Sequence, residues 1–178
     1  MDYSQTIETE RLKLRKMKFD DFEDMYYGYA SKDKVTEFLS WKSHKSIEET
    51  KTYLNNLVLP EYNDETYRWA IELKENGKML GCIDVVRFDK KIKMAEIGYV
   101  LNDDYWGKGI MPEAGKAVVD YLAKLGFKRI QAIHHCNNPK SGRVMQKIGM
   151  QFEGVLRKSH LNNKGEIIDV AMYAIIID

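Results

Sequence analysis

Two glycines two residues apart, Gly107 and Gly109, lie in the run Trp106-Gly107-Lys108-Gly109-Ile110-Met111, and their spacing suits chemistry with an anion. Glycine lets a backbone approach a phosphate closely, and the free N–H groups and dipole of a helix start favour negative charge. The flanking residues fit that use. Glu96 to Leu101 has the β-branched and aromatic content of a strand, and Asn102, Asp103 and Asp104 break it. Pro112 suits a first helical position. Ala114, Ala117, Val118, Tyr121, Leu122 and Leu125 then recur on one helical face, and Gly126 supplies a left-handed end. Two common phosphate loops are excluded. The Walker loop wants Ser or Thr after Gly-Lys, where Gly109 stands, and the dinucleotide fingerprint wants a third glycine where the chain has Pro112. Taken alone, the stretch reads either as an anion cradle or as a plain strand–helix turn with two conformational glycines.

A second constellation follows. Asn138 is placed to cap a helix with Pro139 at its first position, and Ser141, three residues on, faces the same ligand as the cap. Lys140, Arg143 and Lys147 form a basic stripe, either a solvated face or a reach toward a phosphate. The run His134-His135-Cys136 suggests a metal, but adjacent strand residues point to opposite faces, so the two imidazoles cannot share one ion. No metal is expected.

The elements that must position these groups are legible in turn. Thr9 to Met17 alternates as a half-buried strand. Asp20 and Asp21 open a helix with Phe22, Met25, Tyr26, Tyr29 and Ala30 on one face. Ser46 and Glu49 form a capping box for a second helix, whose inner face is Tyr53, Leu54, Leu57 and Val58 and which Pro60 stops. Between the helices Phe38, Leu39 and Trp41 either enter the core or line a substrate loop. Thr66 to Lys74 and Lys78 to Phe88 are strands joined at Asn76-Gly77, a strong hairpin signal, and a turn at Asp89 to Ile92 leads to the strand of Glu96. Phe127 to Cys136 is a strand parallel to the Glu96 strand. The Asn138 helix runs to Gly149, and Met150 to His160 with Glu166 to Ile177 closes the chain as a hairpin. The order β-α-α-β-β-β-α-β-α-β-β implies one α+β or α/β domain over residues 1–178, a mixed sheet with helices on both faces.

Composition bounds the function. The chain has 178 residues, 44% of them hydrophobic and 31% charged, and a net charge of +1. These values suit a globular protein and give no electrostatic case for nucleic-acid binding. The first residues lack the apolar core of a leader, and Ala174 to Ile177 is too short for an anchor, so no membrane is expected. Cys82 and Cys136 read as buried free thiols in a reducing cytosol.

The residues from Glu96 to Gly126 resemble the coenzyme-A loop of the GNAT N-acetyltransferases, and Tyr-Trp-Gly-Lys-Gly-Ile followed by Glu-Ala resembles the RimJ/RimL branch, which acetylates protein N-termini, notably of ribosomal proteins. The element order matches the GNAT acyl-CoA N-acyltransferase fold along nearly the whole chain. The family's Arg or Gln position falls on Asp104, a departure. The resemblance implies acetyl-CoA as co-substrate, with its pyrophosphate on the amides of Gly107, Lys108, Gly109, Ile110 and Met111. The strands of Glu96 and of His135 would splay, and the pantetheine arm would bond the backbone of Val100, Leu101 and Asn102 and the side chain of Asn138. Asn138 to Met150 resembles the family's Asn-x-x-Ser…Lys-x-Gly-Phe segment, with Met150 for Phe. The Tyr that many members use as general acid is absent near Met145, and the branch assigns that role to Ser at the position of Ser141.

Phe152 to Arg157 and Asp169 to Ala174 resemble the closing hairpin of the branch, whose acidic general base falls at His160 in this chain. Imidazole is a competent replacement. Glu96, in the motif Glu-Ile-Gly-Tyr, is the competing base, since burial can make such a carboxylate more basic; the alternative for it is a cross-strand ion pair with Lys or Arg. The expected activity is direct acetyl transfer, in a ternary complex, to a primary amine, foremost a protein N-terminal α-amine. A small-molecule acceptor such as an antibiotic or polyamine, or a non-catalytic acyl-CoA-binding module, are the alternatives. A homodimer is also compatible with the resemblance.

Overall fold

Leu12, Leu14, Trp69, Ile71, Ile83 and Ile130 are fully buried, and their period-two spacing pins a sheet at the centre of the molecule. The computed structural model describes residues 4–62 and 65–178; residues 1–3, the start of the segment read as lacking a leader, and residues 63–64 lie outside the described residues.

The strands are β1 (Ile7–Glu8), β2 (Leu12–Arg15), β3 (Arg68–Leu73), β4 (Met79–Asp89), β5 (Met94–Leu101), β6 (Arg129–His135), β7 (Gln151–Leu161) and β8 (Ile167–Ile176). They form one eight-stranded mixed sheet ordered β1-β2-β3-β4-β5-β6-β8-β7. The strand expected over Thr9 to Met17 is shortened to β2, because Thr9 turns the chain: its N–H bonds to the Leu12 carbonyl at 3.0 Å, and β1, which precedes it, folds back on β2. All neighbours are antiparallel except β5 and β6, which are joined by the crossover helix α4 named below.

The helices are α1 (Phe22–Met25), α2 (Asp33–Thr36), α3 (Ile47–Tyr53), α4 (Ile110–Lys124) and α5 (Pro139–Ile148). The first expected helix is short and irregular, a 3₁₀ turn at Phe19–Asp21, then α1, then a π turn at Tyr26–Ala30. A second π turn, Leu54–Val58, extends α3. The capping box is rerouted. Ser46 Oγ accepts from the Glu49 N–H at 3.2 Å, but the Glu49 carboxylate accepts from the N–H of Lys45 at 2.6 Å. Leu39 and Trp41 are half-buried against the smaller core, and Phe38 packs instead on His135 with ring centroids 5.2 Å apart.

Two cores lie on opposite faces of the sheet. The larger sits under α4 and α5 and includes Ile97, Leu101, Val118, Leu122 and Met145. The smaller sits under the α1–α3 layer and includes Tyr29, Leu54, Met79 and Val100. Helix α4 starts at Ile110 with Gly109 as its cap, so Pro112 is its third residue, still in the first turn where a missing N–H leaves no intrahelical bond unmade. Gly126, at φ +92°, ends it as expected.

Cys82 and Cys136 are both free, yet Cys136 is exposed rather than buried. Burial pushes the Cys82 thiol up to about 12, so it is inert at neutral pH. Among the described residues no helix is long and apolar enough to cross a membrane.

Candidate active site

The sheet opens where the parallel pair ends. β5 and β6 are in register at Met94–Arg129, Ala95–Ile130 and Glu96–Gln131, and among the described residues no strand lies beside that edge of β5 beyond Glu96, although β5 runs on to Leu101. Two helix N-termini, those of α4 and α5, stand at this opening.

The α4 terminus is built for an anion. Gly107 and Gly109 both have φ +77°, a conformation that side chains rarely adopt, and Gly109 caps the helix with no side-chain cap hydrogen bond among the described residues. The loop is held from behind by the first two strands. Arg11 donates to the Lys108 carbonyl at 2.9 Å and to Glu113 at 2.7 Å, while Thr9 Oγ1 and the Arg11 N–H bond the other Glu113 oxygen at 2.6 and 3.0 Å. Burial raises the Glu113 pKa, but the hydrogen bonds from Thr9 and Arg11 outweigh it and hold this carboxyl below its ordinary value. In front, Trp106 Nε1 donates to the Leu101 carbonyl at 2.9 Å, and the Asn102 N–H bonds Leu80 at 2.8 Å. Asn102 Oδ1 accepts from the N–H of Asp104 at 3.0 Å and from Lys32 at 3.3 Å. Leu101 and Asn102 therefore anchor the loop to the strand, and Val100, in register with Cys82, borders the opening. Asp104 is largely exposed.

Hydrogen bonds from Lys32 and then Lys34 draw the Asp103 carboxyl below its ordinary value, although burial opposes them. Lys34 and Lys140 also place their ammonium groups over the Trp106 ring, at 5.3 and 5.0 Å. The mouth of the opening is thus lined by cations from α2 and α5, beside a helix start that suits an anion.

The α5 terminus is built to present a hydroxyl. Asn138 Oδ1 accepts from the Ser141 N–H at 3.4 Å, Pro139 is the first residue, and Gly149 closes the helix at φ +108°. Ser141 Oγ lies 2.8 Å from the hydroxyl of Tyr99, which reaches across from β5. Gly142 follows because a Cβ there would come within 2.7 Å of His134 Nε2.

Strand alternation sorts the remaining candidates. Tyr99 points to the α5 face. Glu96 points to the other, three residues away, where it accepts from Gln131 at 2.6 Å and pairs with Arg87 at 2.9 Å. His135 shares the face of Gln131. It stands opposite Val170, and His160 stands opposite Ile168, two residues along β8, so His160 projects from the Glu96 face as well. Thus Ser141 lies on one side of the sheet, and Glu96 and His160 on the other. No hydrogen bond links Glu96 to His160.

Ser159 Oγ lies 3.0 Å from the Leu156 carbonyl and 2.9 Å from His160 Nδ1. In His135, Nδ1 accepts from the Asn137 N–H at 3.0 Å, leaving the proton on Nε2. The two residues that sequence reasoning did not single out are Tyr99 and Arg11. Their partners are 42 and 102 residues away, and no local pattern marks such contacts.

The comparisons agree with this geometry. An acetyltransferase (GNAT) domain model matches residues 11–151. This chain belongs to the GNAT acetyltransferases, enzymes that transfer acetyl from acetyl-CoA to an amine. An N-acetyltransferase of Bacillus subtilis (strain 168), YoaA, is 31% identical over 171 residues, 96% of each chain. The ribosomal-protein-serine acetyltransferase of Escherichia coli (strain K12) is 29% identical, with 81% of this chain and 80% of the relative covered. The structure of RimL, a ribosomal L7/L12 α-N-protein acetyltransferase in complex with coenzyme A, superposes with a TM-score of 0.83 at 25% identity, covering 98% of this chain and 99% of that one. These likenesses are consistent with the RimJ/RimL branch.

The residues present fit acetyl-CoA. A left-handed glycine pair and an uncapped helix start suit its pyrophosphate, and the opening between β5 and β6 suits an extended arm. The coenzyme supplies an activated acetyl group as its thioester.

Proposed function

We propose that the enzyme acetylates the α-amine of a protein N-terminus, of ribosomal-protein type, by direct transfer in a ternary complex. The observation that carries the reading is the division of the reacting groups by the sheet. Ser141 lies on the α5 face, where a thiolate would depart, and His160 and Glu96 lie on the face where an amine would arrive. That second face is roofed by the loop after α2, which the β7–β8 hairpin holds through Asn163, donating to the carbonyls of Thr36 at 2.9 Å and Trp41 at 3.2 Å.

In this mechanism Gly107 to Met111 hold the pyrophosphate, Val100 to Asn102 and Asn138 border the pantetheine arm, and Ser141 Oγ–H faces the sulfur. His160, through a water, takes the proton of the attacking amine. Glu96 is the weaker candidate because its carboxylate is occupied by Arg87 and Gln131. An α-amine, with pKa near ~8, needs only a modest base, whereas a lysine near ~10.4 needs more help. The names of the Escherichia coli relative and of the RimL structure support the same acceptor class. The reading also takes residues 1–178 as one domain acting in the cytosol.

The test is an acceptor panel with acetyl-CoA, read as thiol release. It compares peptides with a free α-amine, the same peptides blocked at the N-terminus but carrying lysine, and a polyamine. Turnover confined to free α-amines is expected; turnover confined to the polyamine overturns the acceptor assignment. With imidazole as base, activity rises with pH through one limb. His160→Ala removes that limb and lowers turnover by roughly 10²-fold. A limb that survives in His160→Ala and disappears in Glu96→Gln passes the role to Glu96.

A further inference from the structure

Tyr99 leaves β5 just beyond the last β5–β6 pair and crosses the opening to α5. Its hydroxyl is 2.8 Å from Ser141 Oγ and 3.0 Å from the Ser141 carbonyl oxygen. A phenol has one proton, so these two contacts define two arrangements. In the first, Tyr99 donates to the carbonyl, and the Ser141 hydroxyl then donates back to Tyr99, so its proton points away from the opening. In the second, Tyr99 donates to Ser141 Oγ, and the serine proton is released toward whatever stands in the opening. The carbonyl loses little in the exchange, since a helical C=O at that position is bonded within α5.

We propose that Tyr99 is the positioning residue for Ser141: it donates to Ser141 Oγ and thereby turns the serine proton onto the sulfur of coenzyme A. The inference rests on the reading of Ser141 as the group that meets the sulfur. Aligned donors strengthen one another, so the chain Tyr99 Oη–H to Ser141 Oγ–H to sulfur stabilises the thiolate more than serine alone. Tyr99 itself stays protonated throughout. Burial raises its pKa well above the ordinary phenol value, more than the Ser141 contact lowers it. The sulfur therefore departs as a thiolate held by the Ser141 hydroxyl and takes its proton from solvent, so neither Ser141 nor Tyr99 ionises. The phenol arrives from the strand, and the helix position near which many family members carry a tyrosine holds Met145, which is buried at 1% exposure.

The test needs no acceptor. Coenzyme A with its free thiol is bound to the protein, and the ultraviolet absorbance of the thiolate is titrated against the unliganded protein. A hydrogen bond to a charged group corresponds to about one to two pKa units. Ser141→Ala should raise the pKa of the bound thiol by about that amount. Tyr99→Phe should raise it by roughly half as much, and the double variant should match Ser141→Ala alone. A thiol pKa unmoved by Ser141→Ala defeats the serine reading itself. A pKa moved by Ser141→Ala but not by Tyr99→Phe overturns the role of Tyr99. Additive shifts in the double variant overturn it too, because Tyr99 would then act without Ser141. If Tyr99→Phe does not fold, 3-fluorotyrosine at position 99 serves instead. Its more acidic phenol donates more strongly and should lower the thiol pKa, and an unchanged value counts against the proposal.

Discussion

The two helix N-termini at the opening solve the same problem in opposite ways. Every helix begins with N–H groups that have no intrahelical partner. At α5 the Asn138 side chain takes the Ser141 N–H, so the terminus is satisfied and rigid, and it offers a side-chain hydroxyl. At α4 the cap is Gly109 in a left-handed conformation, with no side-chain cap hydrogen bond among the described residues, and rigidity comes from Arg11 and Glu113 behind the loop. A capped terminus can place one group accurately, whereas a bare one can receive a charged ligand. A transferase that holds a pyrophosphate and also manages a departing sulfur has use for one of each.

The largest test of this contrast is at the bare end. Gly109→Val puts a β-branched residue at φ +77°, a strain of ~1–3 kcal/mol, and projects a side chain toward Arg11. Coenzyme A affinity by calorimetry should fall by ten- to hundredfold or more in a folded protein; unchanged affinity would show that the amides are not the anion site. Next is the capped end. Ser141→Ala should lower kcat by about tenfold or more while the KM for acetyl-CoA stays within about twofold, as expected for a contact formed in the transition state. A rise in KM with kcat intact would make Ser141 a ground-state binder and erase the distinction between the termini.

The support behind the bare end gives a smaller, pH-dependent effect. The folded-state pKa of Glu113 lies below its ordinary value, so its contribution to stability is present above the ordinary Glu value of ~4.3 and is lost as pH falls through the depressed one. The melting-temperature difference between wild type and Glu113→Gln should therefore be widest near neutral pH and close in acid. The same variant should weaken coenzyme A binding by a few-fold at neutral pH. A difference that does not narrow in acid would show that Glu113 acts by packing rather than by charge. The smallest effect is the cap itself. Asn138→Ala should cost about 1 kcal/mol of stability by denaturant titration. A loss of coenzyme A affinity beyond that stability change would assign Asn138 a direct contact with the pantetheine arm.

The parts of the site that the sequence disclosed are those with a local cause. Gly107 and Gly109, the Asn138 cap and the Gly149 stop each act within a few residues, and each stands where its type and spacing put it. The strands were legible because Tyr67, Trp69, Ile71 and Leu73 alternate into one core. What was not legible is non-local or competitive. Nothing in Thr9-Glu10-Arg11 announces Glu113, and nothing in Glu-Ile-Gly-Tyr says that Tyr99 ends on Ser141. Pro112 looked like a first helical residue, yet the left-handed Gly109 starts α4 earlier. The capping box at Ser46 was half right because the Lys45 N–H outcompetes that of Ser46 for Glu49. The π turns at Tyr26–Ala30 and Leu54–Val58 leave no mark in hydrophobic spacing.

The short parallel seam between β5 and β6 has a consequence for how the molecule breathes. Within the sheet it alone joins a five-strand antiparallel half, β1 to β5, to a three-strand half of β6, β8 and β7, and it holds only from Met94 to Glu96 against Arg129 to Gln131. Off the sheet the halves are clamped where Gly115 of α4 lets Ile148 of α5 approach so closely that a Cβ would meet it at 2.3 Å. The seam is the narrowest hydrogen-bonded join within the sheet, so it is where local opening is expected first. Amide protons along the seam should exchange faster than those in the interior of either half. A molecule lodged across the cleft, touching α4 on one side and α5 on the other, would slow that exchange on both sides together.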